Sequence, residues 1–241
     1  VLDGSDKFSN YQLTPVNIVN TRGFIVEDDG GKIFDVIDNT HHYDITLALK
    51  GTIDENAVMN GECQIICSDY ARRERIKSYT GNADNFKQDY FIKPYPSVKI
   101  SEISFKNAEN DSLPFFQKIN FLTNLNSSGG YSYFNTNLFS GFETNPFIED
   151  QRITDIDFGF KQHYSIYGNF TIPAGYVFDA LPQNISMAMP GRIAQFTRNM
   201  DSKDNLLNMK IDIDFKQPFY VSANYDDFHE FYKKMMAALN E

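Results

Sequence analysis

The side chains with which this sequence could do acid–base, nucleophilic or metal chemistry are four histidines, two cysteines and 32 carboxylates. His41 and His42 are adjacent, so on a strand they point to opposite faces and do not chelate one ion together. They read as a surface pair at a strand start, and His163 and His229 stand alone. No His-x-x-x-His or Cys-x-x-Cys spacing is present, so neither a metal nor a cofactor is expected. Cys63 and Cys67 sit four positions apart in Gly61-Glu62-Cys63-Gln64-Ile65-Ile66-Cys67. On a strand that separates their Cα atoms by roughly 13 Å, beyond the ~7 Å limit of a disulfide. The neighbouring isoleucines favour two free, buried thiols; on a helix the pair would share a face and offer two metal ligands. Asp54-Glu55 and Glu149-Asp150 raise the possibility of glycoside hydrolysis, which is decided by separation in space, and a chain this acidic holds such pairs by composition alone. Arg72-Arg73-Glu74-Arg75-Ile76-Lys77 reads as a solvated helix face rather than an anion site. Asn126-Ser127-Ser128-Gly129-Gly130 lacks the lysine of a phosphate loop, and no Gly-x-Ser-x-Gly elbow occurs.

The elements that must position these groups are mostly strands. Tyr43, Ile45, Leu47 and Leu49 alternate with Asp44, Thr46, Ala48 and Lys50, and Gly51 to Asn60 turns the chain into a returning strand through Cys63 to Cys67. Ser68 or Asp69 is placed to cap a helix through Ile76. A second short helix is expected over 82–92, ended by Pro94 and Pro96. Val98, Ile100, Ile103 and Phe105 slip phase by one, which predicts a β-bulge near Ser101 and Glu102. Strands are expected next over 115–122, over 164–172 up to Pro173-Ala174-Gly175, and over 207–215, where Leu207, Met209, Ile211, Ile213 and Phe215 alternate with polar residues. The period then changes from 2 to 3.6. Phe228, Phe231, Tyr232, Met235 and Leu239 form one apolar helical stripe, with Ser222 or Asn224 as N-cap and Asp226 and Asp227 at the positive end of the dipole. Residues 1–31 read as irregular, with a turn at Asp28-Asp29-Gly30-Gly31.

These elements predict a mainly β chain: an antiparallel β-sandwich with a few flanking helices and a C-terminal amphipathic helix. The division expected is 1–31 and 32–241, with a possible subdivision near 94–97. The 22 Phe and 14 Tyr, without Trp, favour pleated half-buried surfaces. A net charge of −10 argues against nucleic acid and against an anionic membrane surface. No apolar run reaches the ~18 residues of a membrane span. The sequence opens at Val1-Leu2-Asp3-Gly4-Ser5-Asp6, without an initiator Met, as the interior of a longer polypeptide would.

Two sets of residues resemble one family. The first comprises Asn145-Pro146-Phe147, Asp157-Phe158-Gly159-Phe160, Ile172-Pro173-Ala174-Gly175-Tyr176, Leu181-Pro182 and the terminal helix from Tyr225 to Met236. In that order they resemble the C-terminal region of exported bacterial transglutaminase-like proteins, where a domain of unknown function succeeds a papain-like core. The second is the start. Leu2-Asp3-Gly4-Ser5-Asp6 looks like the Leu-Asp-Ala-Thr-Asp stretch closing that core, and Leu13-Thr14-Pro15 and Asn20-Thr21-Arg22-Gly23 are similar to the residues just beyond it in such proteins.

The resemblance implies that Asp3 matches the aspartate of a Cys-His-Asp triad, which orients the histidine that activates the thiol. Cys63 and His41 come after Asp3 in the chain and do not match the other two roles. The resemblance therefore implies a non-catalytic accessory or binding region, periplasmic, cell-surface or secreted. Its partner would be the upstream transglutaminase-like core of the same chain, with a protein, peptide or glycan as a further ligand. Two readings of other classes stand beside it: a stand-alone glycan-acting hydrolase using paired carboxylates, and a structural or adhesive β-sandwich.

Overall fold

The computed structural model describes residues 6–8, 10–28 and 30–241. The chain is mainly β, with flanking helices and a C-terminal amphipathic helix, as its alternation predicts. The irregular character expected of residues 1–31 ends at Thr21, where β1 (Thr21–Glu27) pairs antiparallel with β2 (Gly30–Val36). Gly30 and Gly31, expected in a turn, are instead the first residues of β2. Its pairing crosses position 31. Strand propensity in Phe24, Ile25, Val26 and Ile33 outweighs the surrounding turn residues.

β3 (Tyr43–Ile53) and β4 (Val58–Ser68) form the first long hairpin, its turn closed by Asp54, whose carboxylate accepts from the Asn56 and Val58 amides, each at 2.9 Å. His41 and His42 precede β3 rather than lying in it. Helix α1 (Asp69–Gly81) comes directly after, then α2 (Ala83–Lys87), capped by Asn82, whose side chain accepts from the Asp84 and Asn85 amides. One π-helical turn over Gln88–Ile92 completes this helical stretch before the prolines. β5 (Val98–Lys106) and β6 (Phe115–Asn124) pair antiparallel, with the register shift between Ile100 and Glu102 that the phase slip predicts. The Asn/Ser/Gly segment becomes a small hairpin of β7 (Asn126–Ser128) and β8 (Tyr131–Tyr133). Gly129 and Gly130 both have positive φ there, as a mirror-image two-residue turn requires.

β9 (Ile156–Asp157) is short, and β10 (Gln162–Thr171) is long. β11 (Ile185–Ala188), β12 (Ala194–Lys203) and β13 (Leu206–Phe215) then build a meander. β14 (Phe219–Tyr220) pairs back onto β9 and leads into α3 (Tyr225–Leu239).

Eight strands form one mixed sheet in the order β11-β12-β13-β10-β3-β4-β6-β5. The β3–β10 pair is parallel and every other neighbouring pair is antiparallel. The sheet is thus two four-stranded halves joined along one parallel seam.

One face of this sheet is the core. Leu47, Leu49, Cys63, Ile65, Phe115, Ile119, Ile166, Phe170, Ile211 and Ile213 all point inward and are buried. The layer above them is helix and loop. Phe228 and Tyr232 of α3 pack their rings on Phe215. Phe139 and Phe142, from the long segment before β9, meet Phe121 and Tyr164. At Gly61 the Phe121 ring occupies the space a side chain would take, 2.2 Å from an ideal Cβ. The whole predicted stripe of α3 is buried. Asn224 makes no side-chain cap bond, so this helix is held by burial, at about 1.5–3 kcal/mol for each large apolar side chain. The opposite face of the sheet is polar and half-exposed, and it carries the ionisable groups of β3, β10 and β13.

Candidate functional site

On a strand, alternate residues share a face, so His163 and Ser165 of β10 lie on the outer face together. Register then supplies their neighbours. His163 stands between Asp214 of β13 and Asp44 of β3, and Ser165 between Asp212 and Thr46. The His163 Nδ1 is 2.7 Å from an Asp214 oxygen, and its Nε2 is 3.1 Å from the Ser165 hydroxyl. Ser165 in turn donates to Asp212 at 2.8 Å, and Lys210 pairs with the same carboxylate at 2.9 Å. The hydrogen bond His163 donates to Asp214 raises the His163 pKa above its usual value, and the same bond lowers that of Asp214. Burial pushes Asp44 up, against the opposing pull of His163.

Aspartate, histidine and serine in line have the outline of an acyl-transfer triad, but the protons run the other way. A hydroxyl has one proton, and Asp212, as a carboxylate, only accepts. While Ser165 donates to Asp212 it presents a lone pair to Nε2, and that contact is a hydrogen bond only when Nε2 donates; Nδ1 donates to Asp214. In this arrangement both ring nitrogens carry protons, whereas a general base needs Nε2 free to accept. Ser165 is also only 7% exposed. Its strand is hydrogen-bonded on both sides, so its backbone N–H groups are not free to stabilise an oxyanion. The arrangement is a closed charge network.

The other groups singled out by the sequence are dispersed. Asp3 lies outside the described residues. His41 Nδ1 is 3.0 Å from Asp38, a carboxylate that also accepts from the Thr40 and His41 amides and, at 2.8 Å, from the Tyr70 hydroxyl. Burial opposes ionisation of Asp38, but these donors together outweigh it and hold its pKa far below the usual range. The assembly, with Phe160 stacked on Tyr70 at 3.8 Å, ties residues 13–19 to α1 and to the approach to β10. His229 stacks on Tyr225 along α3. Glu149 and Asp150 are exposed in a loop.

The basic run on α1 departs from the solvated face expected of it. Arg72 donates to the carbonyls of Asn107, Asn110 and Leu113, and Arg73 pairs with Asp6. Arg75 points into the core, donating to Gln117 at 3.2 Å and lying over the Tyr90 ring. Gln117 passes the interaction on, donating to the Cys67 sulfur at 3.3 Å. Periodicity predicts a charged face, but it does not reveal that one arginine finds an amide and an aromatic ring inside. Cys63 and Cys67 are free and buried, as expected, and burial pushes both thiols upward despite the nearby Arg75 cation. Neither is disposed to act as a thiolate nucleophile.

A cleft of about 480 Å³ lies between residues 7–13, α1 and the 108–114 loop. Its two arginines are already engaged, Arg72 by backbone carbonyls and Arg73 by Asp6. Among the described residues, no group of three or more His, Cys, Asp or Glu is disposed to hold a metal ion. No helix there is long and apolar enough to cross a membrane.

Comparison with known proteins matches part of the chain to a family. Residues 130–241 match a family model described as "Domain of Unknown Function with solved-structure structure (DUF3858)". Among solved structures, the chain is similar to one titled a "putative protease" from Parabacteroides distasonis, with a TM-score of 0.42 and 10% sequence identity. That match covers 86% of this chain and 27% of the other, so this chain spans about a quarter of its neighbour's length. No curated protein matches. The matched segment runs from the turn before β8 through α3.

Proposed function

We propose that this chain is a non-catalytic accessory domain of a longer, exported, transglutaminase-like protein, and that its work is to pack against the rest of that polypeptide. The observation that carries this reading is the β1–β2 ribbon. Phe24 pairs with Ile33, and Val26 with Gly31, so Phe24, Val26 and Ile33 share one face. They are 63%, 80% and 68% exposed. A two-stranded ribbon alone is marginal in water. An apolar face on such a ribbon is a surface suited to being covered by protein. The buried thiols and the closed His163 network agree with a role that is not chemical.

A glycan-binding role has less support. Tyr131, Tyr133, Tyr167, Tyr176 and Phe219 are exposed but spread over several elements. Stacking on a sugar calls for a contiguous aromatic platform.

Amide exchange tests the packing role. In the parent polypeptide the β1–β2 amides are expected to be protected, and in the isolated chain to exchange freely. Phe24→Ser with Ile33→Ser should abolish the difference. Equal exchange in both contexts would remove the basis of the proposal. One observation favours a hydrolase instead. Asp212 and Asp214 share one strand face, their Cα atoms roughly 7 Å apart, and glycoside hydrolysis uses a pair of carboxylates. Each is occupied by its own partner, on a sheet face. Turnover of a polysaccharide that disappeared in both Asp212→Asn and Asp214→Asn would replace the accessory reading with that one.

A further inference from the structure

The parallel seam between β3 and β10 is the one join between the two halves of the sheet, and its outer face is where the titratable groups gather. His163 faces Asp214 and Asp212 from β13, with Lys210 on the same strand and Lys216 just beyond it. From the other side it faces Asp44 of β3, with His42 ahead of that strand and Asp69 at the start of α1. Three carboxylates therefore surround one imidazole that spans the rows of β13, β10 and β3.

We propose that His163 is a pH-responsive clip on the outer face of β10, hydrogen-bonding β10 to β13 and lying opposite Asp44 of β3 while its ring carries two protons, and loosening the β10–β13 pair when one leaves. The geometry sets the mechanism. With both nitrogens protonated, Nδ1 donates to Asp214 and Nε2 to Ser165, whose own proton is held by Asp212. When the proton leaves Nε2, that nitrogen and the Ser165 oxygen oppose lone pair to lone pair. Ser165 then keeps Asp212 and loses the ring, or turns to the ring and leaves Asp212 with Lys210 alone. In either case Asp44, Asp212 and Asp214 lose the cation between them.

The raised His163 pKa gives the sign. Its contribution is complete below the ordinary imidazole value of about 6.5 and is lost as pH rises through the raised folded value. The lowered Asp214 pKa sets the acid limit: its contribution is present above the ordinary carboxylate range and is lost as pH falls through the folded value. This device is independent of the accessory role.

The experiment is an NMR titration of the His163 ring nitrogens in the whole chain, with protection factors measured for the β10–β13 amides beside His163 across the same range. The ring is expected to titrate above about 6.5. Protection there should fall about tenfold or more through that transition, the scale of a charge-assisted hydrogen bond. Amides at the far end of the β3–β4 hairpin, around Ile53 and Val58, should show no such step. His163→Gln should give low protection beside position 163 without the step. Three results would overturn the proposal: a ring titrating at or below the ordinary value, the same pH profile in wild type and His163→Gln, or a loss of protection equal beside His163 and at the hairpin end.

Discussion

Replacing Arg198 with Met should destabilise the fold by about 3 kcal/mol, and the structure shows where that figure arises. Arg198 is on the inward face of β12, only 2% exposed. Its Nη1 donates to the Ala238 carbonyl in the last turn of α3; its Nε and Nη2 reach the Gln183 carbonyl at 3.2 and 2.7 Å. Its one carboxylate partner, Glu241 at 2.9 Å, is 61% exposed. In Arg198→Met the Ala238 carbonyl is left buried without a donor, at about 1–3 kcal/mol. Gln183 loses two bonds at the protein edge, about 1 kcal/mol more. Loss of a cation beside the negative helix end adds about 0.3–1 kcal/mol. Relief from burying a charge offsets part of this. With a urea m-value of about 3 kcal/mol/M, the midpoint should fall by about 1 M with m unchanged. Glu241→Ala should cost less than about 1 kcal/mol, since an exposed partner contributes little. Arg198→Lys should fall between the two because an ammonium cannot span both carbonyls. A shift below about 0.3 M for Arg198→Met, at unchanged m, would show that the carbonyls find other donors and that Arg198 is not the clamp on α3.

Gly61→Ala should destabilise by about 1–3 kcal/mol through overpacking, since its Cβ would meet the Phe121 ring at 2.2 Å; chemical denaturation reads the loss, and an unchanged midpoint would mean the ring moves aside freely. Tyr70→Phe removes the hydroxyl donor to Asp38 and should cost about 1.5–3 kcal/mol, with faster amide exchange over 13–19. The lowered pKa of Asp38 gives the same contact a pH dependence: its contribution is present above the ordinary carboxylate range and is lost on acidification through the folded value, so Asp38→Asn should flatten the acid limb of a stability profile. Cys63 and Cys67 should resist a thiol reagent in the native protein and both react in denaturant; fast native labelling of either would contradict their burial.

Most of the strands were legible because each buries one face, and burial writes itself as alternation. The 43–53, 58–68 and 206–215 strands keep to that pattern closely, and even the bulge after Ile100 shows as a slipped phase. β12 was not legible. Its inward positions are Ala194, Phe196, Arg198 and Met200, and an arginine on the inner face breaks the pattern unless its carbonyl partners are known. Residues 134–160 carry much of the aromatic cover of the core without long strands, and loop packing leaves no period to read. The His163 site was half legible. Alternation puts Asp212 with Asp214, but the strand expected from position 164 leaves His163 outside it, and only the β10–β13 register brings His163 and Ser165 to those carboxylates; register between strands distant in sequence leaves no local mark.

The parallel seam also explains why a family match confined to residues 130–241 belongs to a sheet that does not stop there. Within that segment β10 is the first long strand and stands at one end of the order β10-β13-β12-β11. Left there, it would present an open strand edge, with the pairing hazards such an edge carries. β3 covers it along its whole length, from Gln162 opposite Tyr43 to Thr171 opposite Thr52. The N-terminal half therefore does for β10 what a bulge or a charged edge does elsewhere, and in return β3 gains a neighbour beyond its hairpin. His163, Ser165, Asp212 and Asp214 come together through the antiparallel β10–β13 pairing, and Asp44 joins them from the other half because β3 runs parallel to β10 with Asp44 opposite His163. The triad-like outline is thus a product of register on both sides of β10, which no single stretch of the sequence carries.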